Sequence, residues 1–245
     1  MKALLKIEWI KTWRSWPIFI LGIGMPVAFY LLYSSIVSSP TPELQKEFLK
    51  TYMLTMTGFS MSSFGLFTFP YMLQEDQTEH WLTYIEHSKI SIWAYYLSKI
   101  FRVLLNFIVA IIVTFFVGAY FRNVEMPLSI WIGSGVLLLL SSLVFLAFGL
   151  LIAQIKSQQI MSIVSNIIYL GLAILGGSWM PVSMFPKWIQ SISVWTPYYH
   201  VNELVVHFAN DGKFAWQSLL CILAYTAVAT GLALFIKSHR ESDRI

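Results

Sequence analysis

The chain has 245 residues, 57% of them hydrophobic and only 11% charged, with a mean hydropathy of +0.68 and a formal net charge of +4. A soluble domain of this length carries about a quarter charged residues to cover its core, so the composition excludes one. Nucleic-acid binding is also a poor explanation, because the bases are spread along the chain instead of forming one patch.

The first segment, "MKALLKIEWIKTWR" (1–14), sets Leu4, Leu5, Trp9 and Trp13 against Lys2, Lys6 and Lys11. As a helix it would lie in the membrane interface, rings in the acyl boundary and lysines among headgroups. Such a helix serves either as a simple anchor or as a connecting element that touches a cytoplasmic partner. A first membrane span is expected over 17–37 and a second over 52–74, kinked at Pro26 and Pro70.

After the second span comes "QEDQTEHWLTYIEHSK", where Glu75, Asp76, Glu79 and Glu86 make up a third of the twelve acids. At 100° per residue Glu75, Glu79 and Glu86 share one face of a helix over 75–88, with Thr78, Trp81, Leu82 and Ile85 behind them. A charged inner loop is often only a solvated connector. This one is longer than a plain connector needs, and an acidic face sits badly beside an anionic leaflet. The segment reads as a docking knob for another protein.

Further spans are expected over 103–121, 128–152, 160–178 and 214–236, giving six helices in all. Barrel strands would alternate in polarity over about ten residues, which these blocks do not. No Asp, Glu, Lys or Arg falls deep in a span, which argues against a proton-coupled carrier. Ser162, Ser165 and Asn166 form a polar stripe in the fifth span. With Ser62 in the second, they are candidates for a pathway or a dimer interface, and such residues more often join helices than touch substrate. The lone Cys221 lies in the sixth span. With both ends inside, eleven Lys and Arg fall in inner segments and five in outer ones, the expected bias.

Between the last two spans, 179–204 is too apolar for a free loop and too broken by Pro181, Pro186 and Pro197 for one helix. A hairpin of short helices dipping into the outer leaflet is expected, with Trp179, Met180, Pro181, Pro186, Trp188 and Pro197 as a candidate outer gate. An aromatic interface belt is the plainer alternative. His200, Glu203 and His207 share a helix face at metal-ligand spacing. That spacing arises easily by chance, and no metal site is assigned. No phosphate-binding glycine loop or nucleophile elbow is present, so no catalytic residues are expected.

Together the acidic segment followed by "YYLSKI" (95–100) and the outer Gly176, Gly177, Pro181, Pro186, Trp188, Pro197 pattern resemble the ABC-2 type exporter permeases. The resemblance covers the whole chain. Family coupling helices often carry a glycine and threonine after the acids, where this chain has Gln77, Thr78, Glu79, His80 and Trp81. The resemblance implies an all-α polytopic membrane protein of six transmembrane helices, a bacterial plasma-membrane location and cytoplasmic termini. It implies that Glu75, Asp76, Glu79, His80, Trp81, Leu82, Ile85 and Glu86 contact a separate cytoplasmic ATPase. Two ATPase copies would then serve a permease homodimer, ATP and magnesium would bind the ATPase, and this chain would hold no cofactor. Substrates would be hydrophobic or amphipathic: drugs, lipid-like molecules or antimicrobial peptides. A membrane sensor or immunity protein that binds such a ligand without moving it is the alternative.

Overall fold

A computed structural model describes residues 2–242; Met1 and residues 243–245, among them the expected cytoplasmic Arg244, lie outside the described residues. The side chains of Lys2, Glu86 and Arg240 do so as well. The described residues form helices and connecting turns, with no strand. Helix α1 is Lys2–Arg14, α2 is Trp16–Ile36, and α3 runs over 42–78. The short α4 is Trp81–Glu86, α5 is Ile92–Arg122, α6 is Leu128–Ile152 and α7 is Gln158–Leu175. Then come α8 (Lys187–Ser193), α9 (Pro197–Asp211) and α10 (Trp216–Ser242).

Five of these helices are long and apolar enough to cross a membrane: α2, α5, α6, α7 and α10. The second expected span, 52–74, lies within α3 and falls short on apolarity, and the reason is its place in the bundle. Every residue from Tyr52 to Ser62 is buried, against α2, α5 and α9 among others. A helix enclosed by protein has no lipid to match. The hydroxyls of Thr55, Thr57 and Ser62 are satisfied within the helix, donating to carbonyls three or four residues back. By contrast α2, α7 and α10 turn Leu21, Ile163, Ile167, Leu223 and other apolar side chains outward.

Both expected proline kinks fall just after a π-helical turn, Ile20–Gly24 before Pro26 and Phe64–Thr68 before Pro70. Pro26 has no N–H for the carbonyl of Gly22, four residues back. The buried Ser60 hydroxyl of α3 donates to that carbonyl instead, at 2.6 Å. At the second π turn the backbones nearly touch: a Cβ on Gly149 of α6 would lie 2.1 Å from the Gly65 carbonyl oxygen. Only glycine permits that approach.

The acidic segment 75–88 is not one helix. Helix α3 carries Glu75 and Asp76 in its last turn and ends at Thr78. The Glu79 N–H donates to the Glu75 carbonyl and the His80 N–H to that of Gln77, and His80 then adopts left-handed backbone at φ 59°. The chain restarts as α4 in a new direction, so Glu75, Glu79 and Glu86 do not share a helix face. The outer hairpin also differs from expectation. Its first arm, α8, lies at the surface, whereas α9 continues to Asp211 and is core, with Tyr198, Val201, Leu204 and Val205 buried. Asn202 donates to the Gly176 carbonyl at 2.8 Å, tying α9 to the end of α7. Arg122, at the end of α5, donates from Nε to Ser34 Oγ at 2.6 Å and from a terminal nitrogen to the Leu31 carbonyl at 2.5 Å, both in the last turns of α2.

Candidate functional site

At the end of the bundle where α3 stops and α5 begins, charged side chains are buried together. Tyr95, Lys99 and Arg102 recur at i, i+4 and i+7 on α5, so they share one face. Leu4, Glu8 and Thr12 form the matching inward face of α1 and are buried, while Trp9 and Trp13 point outward. Asp76 completes the set from the last turn of α3.

Lys99, 1% exposed, places Nζ 2.7 Å from Glu8 Oε1 and 2.7 Å from Asp76 Oδ2. The Tyr95 hydroxyl also donates to Asp76 Oδ2, at 2.7 Å. Arg102 donates to Glu8 Oε2 at 3.4 Å and to Ser15 Oγ at 3.0 Å. The half-exposed Lys11 sits 4.0 Å from the other Asp76 oxygen. Two buried carboxylates thus meet two buried cations, with Lys11 at the rim. Buried ions are tolerated only when paired and hydrogen-bonded in this way. The cluster locks three separate chain segments together at the end of α3, where Asp76 lies five residues before α4 begins.

The remaining predicted residues separate into buried and open groups. Glu75, Glu79 and His80 are exposed, and Trp81 and Leu82 are partly buried. Trp81 stacks on Tyr84, with ring centroids 5.5 Å apart. Asp76 and Ile85, expected on the docking face, are instead buried at 1% and 0% exposure. Asp76 is turned into the ion cluster and Ile85 into the core, because the break at His80 rotates α4 relative to α3. The Glu86 side chain lies outside the described residues.

On the hairpin, Trp179 reaches inward to Phe29 and Phe59, with centroids 5.9 and 6.2 Å away. Pro197 is buried, whereas Met180, Pro181, Pro186 and Trp188 are exposed. Ser62 and Ser165 are buried, Ser162 partly so, and the exposed Asn166 donates to the Ser162 carbonyl at 3.0 Å. His200, Glu203 and His207 do not converge. His200 Nδ1 pairs with Ser218 Oγ at 3.2 Å, while His207 turns to the Lys213 carbonyl and to Asp211. Among the described residues no group of three or more His, Cys, Asp or Glu side chains is placed to hold a metal ion.

Sequence reasoning singled out neither Glu8 nor Arg102 as a member of a site, and Tyr95 and Lys99 entered only as part of the segment "YYLSKI". A signal existed. Glu8 is the sole acid before Glu43, in a helix otherwise basic and apolar, and no acid lies between Lys99 and Glu125. Bases entering so apolar a run need counter-ions from elsewhere in the chain.

Several membrane-length helices, outward apolar faces and a charge cluster confined to one end of the bundle define a multi-pass membrane protein. The sequence profile of the ABC-2 type transporter family matches residues 1–209, and the chain belongs to that family. It is also similar to a protein of Bacillus subtilis (strain 168) named "Putative transport permease YvfS". The two are 26% identical over 242 residues, covering 99% of this chain and 95% of that protein. The chain is thus the membrane subunit of a transporter, and the family implies an ABC ATPase as partner in general.

Proposed function

We propose that the chain is the membrane-spanning subunit of an ATP-driven exporter, and that α4 is the element on which a cytoplasmic ATPase acts. The observation that carries this reading is the buried Glu8–Lys99–Asp76–Arg102 cluster at the end of α3, which leads into α4. A partner pressing on the exposed Glu75, Glu79, His80 and Tyr84 would push against a base fastened to α1, α3 and α5 at once. Trp81 would supply the aromatic contact, since aromatic anchors dominate interfaces. In this arrangement α3 also crosses the membrane, as the second of six spans, both termini are cytoplasmic, and the hairpin of α8 and α9 closes the outer side. Two ATPase copies, binding ATP and magnesium, serve two copies of this chain. The cargo is a hydrophobic or amphipathic molecule such as a drug, a lipid-like compound or an antimicrobial peptide.

The test is co-purification of the tagged protein with its cognate ATPase, with stimulated ATP hydrolysis as the readout. Glu79→Lys is expected to abolish capture, since reversing a charge in a paired interface costs at least about 2–5 kcal/mol. An acidic substitution on the ATPase should partly restore it, and Trp81→Ala should weaken it. Capture and stimulation at wild-type levels in both variants would remove α4 from the interface.

A further inference from the structure

Between α9 and α10, on the side of the molecule away from the ion cluster, lies a cleft of about 580 Å3. Tyr199, His200 and Glu203 face it from α9, and Trp195 comes from the turn before. From α10 come Gln217, Ser218, Cys221, Ala224, Tyr225 and Val228, a spacing that puts all six on one helix face. That face extends about 16 Å at 1.5 Å per residue, with its polar groups at the start and apolar ones at the end. Polar head and apolar tail are the shape of an amphiphile.

The charge at the head end is fixed by Glu203. It is half-buried, and among the described residues no Lys, Arg or His lies within ion-pair distance of it. Its charge acts on the Tyr199 hydroxyl and the His200 ring, its neighbours in the cleft. Burial pushes the His200 pKa down, and its Nδ1 pairs with Ser218 Oγ at 3.2 Å. The Tyr225 hydroxyl donates to the Trp195 carbonyl and holds one aromatic wall in place. A carboxylate without a cation, beside Trp and Tyr rings, is the chemistry that recognises an ammonium group.

We propose that this cleft binds the ammonium headgroup of a cationic or amino-bearing amphiphile, with Glu203 as counter-ion, Trp195, Tyr199 and Tyr225 as the aromatic wall, and the chain running toward Val228. The site does not depend on how α4 meets an ATPase.

Cys221, the one cysteine of the chain, lines the cleft and reports on it. The purified protein in phosphatidylglycerol nanodiscs is labelled at Cys221 with a maleimide dye while decyltrimethylammonium or decyl sulfate is titrated in. The cation is expected to slow labelling and the anion to have little effect. Glu203→Gln should weaken protection about ten-fold or more, as for loss of one charge-assisted contact, and Glu203→Asp should retain much of it. Should Glu203→Gln fail to fold, Tyr199→Leu keeps the carboxylate, removes a wall and must still weaken protection. Nanodiscs of phosphatidylethanolamine distinguish the source. Slower labelling there than in phosphatidylglycerol makes the ligand a membrane lipid, and protection by the added cation alone makes it a free amphiphile. Equal protection by cation and anion, undiminished protection in Glu203→Gln, or no protection by either source overturns the proposal.

Discussion

Lys99 Nζ lies 2.7 Å from the carboxylate of Glu8, so the third long helix of the bundle holds the N-terminal helix by a fully buried ion pair. The same ammonium holds Asp76, and neither acid has water to fall back on. Lys99→Met therefore leaves two buried carboxylates short of charge and should cost about 3–5 kcal/mol. Removing Asp76 and Lys99 together leaves Glu8 matched to Arg102. The Asp76→Asn, Lys99→Met pair should recover much of the loss, a coupling that a double-mutant cycle on thermal unfolding in detergent measures. Additive losses would show that the charges do not act as a unit.

Ser60 and Pro26 form a second coupled pair. Ser60→Ala leaves the buried Gly22 carbonyl without its donor and should destabilise by about 1–3 kcal/mol. Pro26→Ala restores a backbone N–H that can serve that carbonyl. In the Pro26→Ala background the same serine change should cost less than half as much, read as the shift in unfolding temperature.

His80 holds left-handed backbone at the break between α3 and α4. A side chain there costs about 1–2 kcal/mol relative to glycine, although histidine is among the residues found in this region more often. His80→Gly should keep the break and raise thermal stability, whereas His80→Val should lower it and blur the α3–α4 boundary in hydrogen exchange. A stability order of Val above Gly would mean that the break does not set the geometry.

The orientation assigned to the bundle is checked by accessibility. A reporter at Lys89 should read cytoplasmic and one at Lys46 external. The opposite reading at either position reverses or breaks the proposed topology.

The lipid-facing helices were legible because their sequence is written in hydropathy, which is what the bilayer demands of α2, α5, α6, α7 and α10. Helix α3 was expected but is the least apolar of the long helices, since its Thr55, Ser60 and Ser62 are enclosed by protein and feel no lipid. The acidic segment was visible as a cluster, yet its division was not. Periodicity assumes an unbroken helix, and a single left-handed residue at His80 cancels that assumption. The ion cluster was hidden for a different reason. Glu8, Asp76 and Arg102 are far apart in the chain, and only the packing of α1 and α3 on α5 brings them together.

Arg122 gives the bundle a mechanical property of its own. Helix α5 has 31 residues, about 46 Å at 1.5 Å per residue, well beyond the roughly 30 Å of hydrocarbon. Near its first turns Lys99 and Arg102 grip Glu8 and Ser15, and at its last turn Arg122 grips Ser34 and the Leu31 carbonyl. Both grips fall on one continuous stretch, α1 and α2, like two bolts through the same pair of beams. Sliding one beam along the other would have to break charged contacts at both ends together. A tilt imposed on α5 at the α4 end therefore pulls on α1 and α2 through both grips, with the π turn before Pro26 lying between them.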